Sequence, residues 1–428
     1  MDKMISNLVL LLSQIGVILI LARLVGWGLR ALHQPRVMGE IVAGILLGPS
    51  LLGWLAPDVS MAIFPPDSFG LLNTLGQVGV ILFIFLVGLK LDIANVWARG
   101  KAVLVIAHVS MAVPLILGTG LAIYLYPFLS EMGVTPTVFA LFTGVAMGVT
   151  ALPVLARILE ESRLSGTPVG SVALASAALK DVMAWCLLAG VMALHAYATV
   201  PGVLVLTLIA TGLFVFVMLR LVPRAFHLLE VRYQHCGRLT HDMLAFILLT
   251  MAGSAWITEW IGVHALFGAF LAGVALPKGP DFASEVSAKL EGVTTTILLP
   301  IFFASTGLQT GFGLIHGTNL WICFGLILLV AVVGMWGGTT LAARFTGMSW
   351  VESNTIGILM NTRGLMEIVI LTIGRDVGVI SSTMFALMLL MALATTCMTT
   401  PLLRWYRPDQ MRQPAPSRIE LPDRFKKS

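Results

Sequence analysis

Apolar residues run through this chain in long stretches, broken at intervals by Gly, Pro and charge. A membrane crossing needs about 20 such residues. The pattern predicts helical segments at 4–26, 37–55, 70–89, 102–127, 135–158, 168–194, 199–222, 239–260, 261–277, 286–308, 320–343, 350–374 and 382–403. The division between the eighth and ninth rests on Glu259 and Gly262. Residues 4–26 lack a basic leading stretch and a small-residue cleavage site, so they read as a retained first span. Residues 408–428 form a short polar tail.

The basic residues alternate with these segments. Arg23, Arg30 and Arg36 follow the first, and no Lys or Arg lies between the second and third. The alternation continues along the chain, and 22 of the 26 basic residues fall on one side. Lys3 and Arg375 fall on the other, and Lys180 and Arg363 lie within segments. The positive-inside rule then predicts thirteen crossings, with the N-terminus outside and the C-terminus in the cytoplasm. Trp54, Trp97, Trp256, Trp321, Trp350 and Trp405 fall near the expected interfaces.

Composition narrows the class. Hydrophobic residues make up 58% of the 428 and charged residues 11%, against about 25% charged in a soluble domain. Mean hydropathy is +0.95. A soluble domain and a disordered chain are excluded, and a β-barrel would dilute the hydropathy by alternation. The net charge of +5 reports topology and contact with anionic lipid, with no expectation of nucleic acid. No cysteine or histidine spacing matches a metal site, and no cofactor is expected.

Charges inside the bilayer cost at least about 2.5–3.5 kcal/mol each on insertion scales, and they default to function. Lys180 and Asp181 are the only charged residues between Arg163 and Arg220. Adjacent helical positions point about 100° apart, so each is expected to find a partner elsewhere. Asp181 reads as the carboxylate that carries ion and proton; the alternative is a buried structural pair. Arg363 and Glu367 stand alone between Glu352 and Arg375. Their i,i+4 spacing puts them on one helix face, where a self-satisfied structural pair is the stronger reading. His108 and His264 read as packed residues.

Two segments carry breaks. Thr150-Ala151-Leu152-Pro153 interrupts the fifth and Asn361-Thr362-Arg363-Gly364 the twelfth at matching depth. Interrupted helices in corresponding places point to a transporter site at the midplane, where freed carbonyls and half-helix dipoles face the ion. An ordinary proline kink is the bland alternative for the fifth taken alone. Seven segments separate the two. An odd offset inverts topology, so segments 1–6 and 8–13 read as inverted repeats joined by the seventh.

The runs Thr150-Ala-Leu-Pro-Val-Leu-Ala-Arg-Ile-Leu159, Lys180-Asp-Val182 and Asn361-Thr-Arg-Gly-Leu-Met-Glu367 resemble the monovalent cation:proton antiporter-2 family. That family includes bacterial sodium/proton and potassium-efflux antiporters and the plant cation/proton exchangers. The resemblance runs from about residue 10 to 403. It implies an all-α polytopic sodium/proton-antiporter-like fold with two broken, crossing helices, working as a homodimer in the cell membrane. Residues 1–407 would form the transmembrane unit. Within it, about 1–95 and 239–310 would dimerise, about 100–195 and 320–403 would form a mobile core, and 199–222 would link them. By resemblance Asp181 matches the ion-binding aspartate, Thr150 a threonine beside the ion, and Arg363 and Glu367 the basic and acidic positions of segment twelve. The sequence departs from the family twice. Lys180 stands where Asp, Asn or Gln precedes the aspartate, and Gly334-Met335-Trp336 lacks the lysine usual in segment eleven. The tail is too short for the cytosolic regulatory domain that some members carry.

The expected function is exchange of Na⁺ or K⁺ for protons, one for one, by competition at Asp181. Lys180 either tunes the titration of Asp181 or carries the proton itself. An enzyme is not expected. The alternative within the same fold is exchange of a small anion such as fluoride with protons, motivated by Lys180. A channel ranks below both, because it needs no strict coupling.

Overall fold

The computed structural model describes residues 2–31, 36–90, 100–162, 164, 167–197, 201–308 and 317–406. Apolar sequence in lipid must satisfy its backbone within each segment, and the described residues are accordingly mostly helical, with short non-helical breaks. The principal helices are α1 (Asp2–Ala31), α2 (Arg36–Leu47), α3 (Phe69–Lys90), α4 (Lys101–Leu129), α5 (Pro136–Gly148), α6 (Leu152–Glu161), α7 (Pro168–Tyr197), α8 (Pro201–Arg220) and α9 (Val222–Cys236). They continue with α10 (His241–Ile261), α11 (Ala265–Ala275), α12 (Pro280–Val293), α13 (Leu299–Leu308), α14 (Thr318–Val332), α15 (Gly338–Phe345), α16 (Trp350–Met360), α17 (Leu365–Asp376) and α18 (Ser382–Tyr406). Single π-turns at Thr294–Leu298 and Val333–Gly337 join α12 to α13 and α14 to α15.

Every expected segment overlaps helix. Among the described residues, nine helical stretches are long and apolar enough to cross a membrane. The segments expected at 37–55, 135–158, 261–277 and 350–374 are instead built from shorter helices. The division between α10 and α11 has a local cause. Gly262 closes α10 at φ 91°, a left-handed conformation that favours glycine. His264, at φ 92°, caps α11, and Glu259 accepts a hydrogen bond from the Ala265 amide at 2.7 Å. His108 bonds the Leu104 carbonyl of its own helix at 2.8 Å. Trp54, Trp256, Trp321, Trp350 and Trp405 are exposed, while Trp97 and the tail 408–428 lie outside the described residues.

The helices pack in two sets. The pairs α1–α2, α2–α13, α3–α11, α3–α13 and α10–α11 belong to one; α4–α5, α4–α7, α4–α15, α15–α16 and α14–α18 belong to the other. Close approach in the first set depends on glycine: a Cβ at Gly88 of α3 would collide with the Phe270 carbonyl of α11, and one at Gly273 of α11 with that of Phe85. The ammonium of Lys278 then donates to the carbonyls of Gly88 (2.9 Å), Leu89 (2.7 Å) and Gly273 (2.9 Å), closing the ends of both helices.

Candidate functional site

The two broken helices meet in the second set. α5 starts on a Thr135 cap followed by Pro136. α16 starts on a capping box made by Ser349 and Glu352. Each ends after 13 and 11 residues, about 20 Å and 17 Å at 1.5 Å per residue, short of a bilayer core of about 30 Å. The chain resumes as helix at Leu152 and Leu365. The interruption of the fifth segment therefore falls at 149–151, and Pro153 sits in the first turn of α6, where its missing N–H leaves no helical bond unmade.

Each half-helix leaves its last carbonyls unbonded, and the other broken segment supplies the donors. The Thr150 hydroxyl donates to the Met360 carbonyl at 2.9 Å, and the Ala151 amide to the Thr362 carbonyl at 3.0 Å. In return the Arg363 guanidinium donates to the Met147 carbonyl at 2.7 Å and the Ala146 carbonyl at 3.4 Å, at the negative end of α5. The same guanidinium meets Glu367 at 3.1 Å, with both side chains fully buried. The Thr396 hydroxyl of α18 holds the Arg363 backbone on both sides, accepting from its N–H at 3.0 Å and donating to its C=O at 2.6 Å. Sequence reasoning expected the Arg363–Glu367 pair; it missed these longer reaches of Arg363 and the part of Thr396.

α7 passes this crossing. Lys180 and Asp181 are both buried there, and they turn to different surroundings. The Lys180 ammonium donates to the Thr150 hydroxyl at 2.9 Å and lies 2.8 Å from the Met335 sulfur, which stands in the π-turn between α14 and α15. Single π-turns within α-helices are frequent at functional sites. Among the described residues neither Asp181 oxygen has a hydrogen-bond partner, although the residue is 1% exposed. The Asn361 amide is likewise buried with both polar atoms unpaired. A buried carboxylate costs several kcal/mol unless a cation, a proton or a donor meets it. Thr150, Lys180, Asn361, Thr362, Gly364, Arg363 and Glu367 thus surround or form one crossing, and Asp181 is its bare acidic group.

A cavity of about 200 Å³ lies between the two sets, lined by α3, α10, α11 and α13 on one side and α17 on the other. Of its lining residues Glu259 and Asp376 are exposed and His264 half-buried, while Val80, Phe302 and Val369 are buried. A smaller pocket of 20 Å³ shares Gln77, Phe302, Thr372 and Asp376 with it, so the two lie side by side along α3, α13 and α17.

Broken helices that cross beside a buried carboxylate are the arrangement found in helical secondary transporters. The chain belongs to the sodium/hydrogen exchanger transmembrane family, whose model matches residues 16–405. It is 39% identical over 405 residues to the Na⁺/H⁺ antiporter NhaS4 of Synechocystis sp., covering 93% of this chain and 97% of that protein. It is 40% identical to cation/H⁺ antiporter 17 of Arabidopsis thaliana and 34% identical to K⁺/H⁺ antiporter 1 of Saccharomyces cerevisiae, over 93% and 97% of this chain. It spans 48% of the length of each of those two relatives. A solved sodium proton antiporter, MjNhaP1 of Methanocaldococcus jannaschii, shares the fold with a TM-score of 0.65 at 16% identity, over 93% of this chain and 96% of that one.

Proposed function

We propose that this protein exchanges a monovalent cation, Na⁺ or K⁺, for protons across a cell membrane, and that Asp181 is the carboxylate for which they compete. The observation that carries the reading is the Asp181 carboxylate, buried beside the crossing and without a hydrogen-bond partner among the described residues. Its oxygens accept either one proton or one dehydrated cation, and that exclusivity couples the two fluxes. Thr150 and the freed carbonyls of the crossing offer neutral oxygens, as a dehydrated monovalent ion needs. Arg363 and Glu367 neutralise each other and hold the crossing together. One titrating carboxylate implies one-for-one, electroneutral exchange. The packing of the helices in two sets supports a core (about 100–195 and 320–403) moving against a scaffold (about 1–95 and 239–310), with a homodimer formed through the scaffold. The basic residues of one side would face cytoplasm and anionic lipid, with the N-terminus outside.

Lys180 reaches the place of Met335, where the family usually has its lysine. In this reading one ammonium has moved from segment eleven to segment six and ends at nearly the same point. The same ammonium is the one feature that favours small-anion exchange. Purified protein in liposomes with an internal pH dye decides between them. A proton gradient is imposed, and Na⁺, K⁺, choline or fluoride is added with and without valinomycin. The expected result is dequenching by Na⁺ or K⁺ but not choline, insensitive to valinomycin, and abolished in Asp181→Asn. Dequenching by fluoride alone would overturn cation exchange.

A further inference from the structure

Trp185 stands one turn beyond Asp181 on α7, and i,i+4 spacing places both on one helix face. It is 2% exposed and its indole N–H has no partner among the described residues. Its ring stacks on Phe270 of α11, with centroids 6.3 Å apart and planes at 27°. α7 and α11 belong to different packing sets, so this stack joins the two sets next to Asp181. Neither Trp185, Phe270 nor Asp181 is among the residues that line the cavity. His264, Ala265 and Leu266 line it from the start of α11, and Phe270 follows Leu266 by one further turn. The order along the two helices is therefore cavity, then Phe270 against Trp185, then Asp181.

We propose that Trp185, stacked on Phe270, is the gating residue that shuts Asp181 off from the cavity lined by Glu259, His264 and Asp376. Two aromatic faces in offset contact exclude water over an area no aliphatic pair covers with so few rotamers. The barrier has a mostly apolar cavity, carrying Glu259, His264 and Asp376 among its lining residues, on one side and a carboxylate without a hydrogen-bond partner among the described residues on the other. Separation of the packing sets, or rotation of the Trp185 ring alone, parts the rings and opens a path from the cavity to the carboxylate. The unpaired indole N–H then has a role in the open state, where it can donate to water entering between the rings. The functional consequence rests on Asp181 as the exchanging carboxylate; the placement of the barrier does not.

The test reads the barrier directly. Protein in liposomes is treated with a water-soluble carbodiimide and glycine ethyl ester. The carbodiimide activates a carboxyl it can reach, and the amine traps it as an amide with release of the urea. Mass spectrometry then gives separate rates for Asp181 and for Glu367, which is also buried. Asp181 is expected to label at least about tenfold faster in Trp185→Ala and in Phe270→Ala, the factor that ~1.4 kcal/mol of occlusion represents. Glu367 is expected to stay at its wild-type rate, and Trp185→Phe, which keeps a ring, to label as wild type. An unchanged Asp181 rate in Trp185→Ala, or a parallel rise at Glu367 from a loosened bundle, would overturn the gate. Labelling proceeds whether or not the wild type exchanges ions, so this result stands apart from the transport assay.

Discussion

At the scale of single residues, an ammonium in lipid needs acceptors, and Lys180 has found one hydroxyl and one thioether. A thioether sulfur is a weak acceptor. That makes Met335 a poor partner for the charge and a good marker of where a lysine on the neighbouring helix would end. Lys180→Met should therefore lower exchange strongly while leaving the protein folded. Adding Met335→Lys should recover a substantial part of it, because the ammonium returns to the same space from the other side. Initial rates of dye dequenching measure both; a double variant no better than Lys180→Met shows that the position of the ammonium on α7 is itself required. The sequence marked Lys180, Asp181, Arg363 and Glu367 because charge in an apolar run is conspicuous. It could not pair Lys180 with Thr150, 30 residues away, or with Met335, 155 away. Those contacts depend on helix rotation and on a π-turn, neither of which leaves a compositional trace. Trp185 was equally invisible, since an aromatic in an apolar helix looks like core.

At the scale of elements, the two broken segments are stable because each caps the other. Arg363 carries most of that work, with two carbonyls of α5 and one carboxylate on its guanidinium. Removing it leaves Glu367 as a buried unpaired charge and re-exposes the end of α5. Breaking a buried pair from one side costs about 3–5 kcal/mol. Arg363→Ala is expected to fall in or above that range, seen as a large loss of melting temperature in detergent. Glu367→Gln should cost much less, because Arg363 keeps its carbonyls and the glutamine still accepts. Combining Glu367→Gln with Arg363→Ala should be milder than Arg363→Ala alone, since the buried charge is gone. Equal melting losses for the two single variants would show that the carbonyl contacts contribute nothing. The breaks themselves were legible from Pro153 and from Asn361 to Gly364. Their bounds were not, because the chain unwinds before Pro153, at 149–151, where the other segment's donors are.

At the scale of the whole molecule, the question is whether exchange needs the two packing sets to slide or only a side chain to swing. The cavity lies between them: α3, α11 and α13 form one wall and α17 the other. Gln77 of α3 and Thr372 of α17 both line it and the smaller pocket beside it. Rigid-body motion of one set would carry Thr372 past Gln77, because α17 is tied to α5 through Arg363 and to α18 through Thr396, whereas α3 is locked to α11 at Gly88 and Gly273. A side-chain gate alone would leave that spacing fixed. Cysteines placed at 77 and 372, in a background with Cys186, Cys236, Cys323 and Cys397 replaced, can be joined by a short bis-maleimide. The expected outcome is loss of exchange on cross-linking, with each single cysteine still active after reaction with N-ethylmaleimide. Full activity in the cross-linked protein would remove the sliding core and leave the aromatic barrier as the moving part. The distinction follows from the covalent tether: it permits ring rotation at Trp185 and forbids translation of α17 along α3.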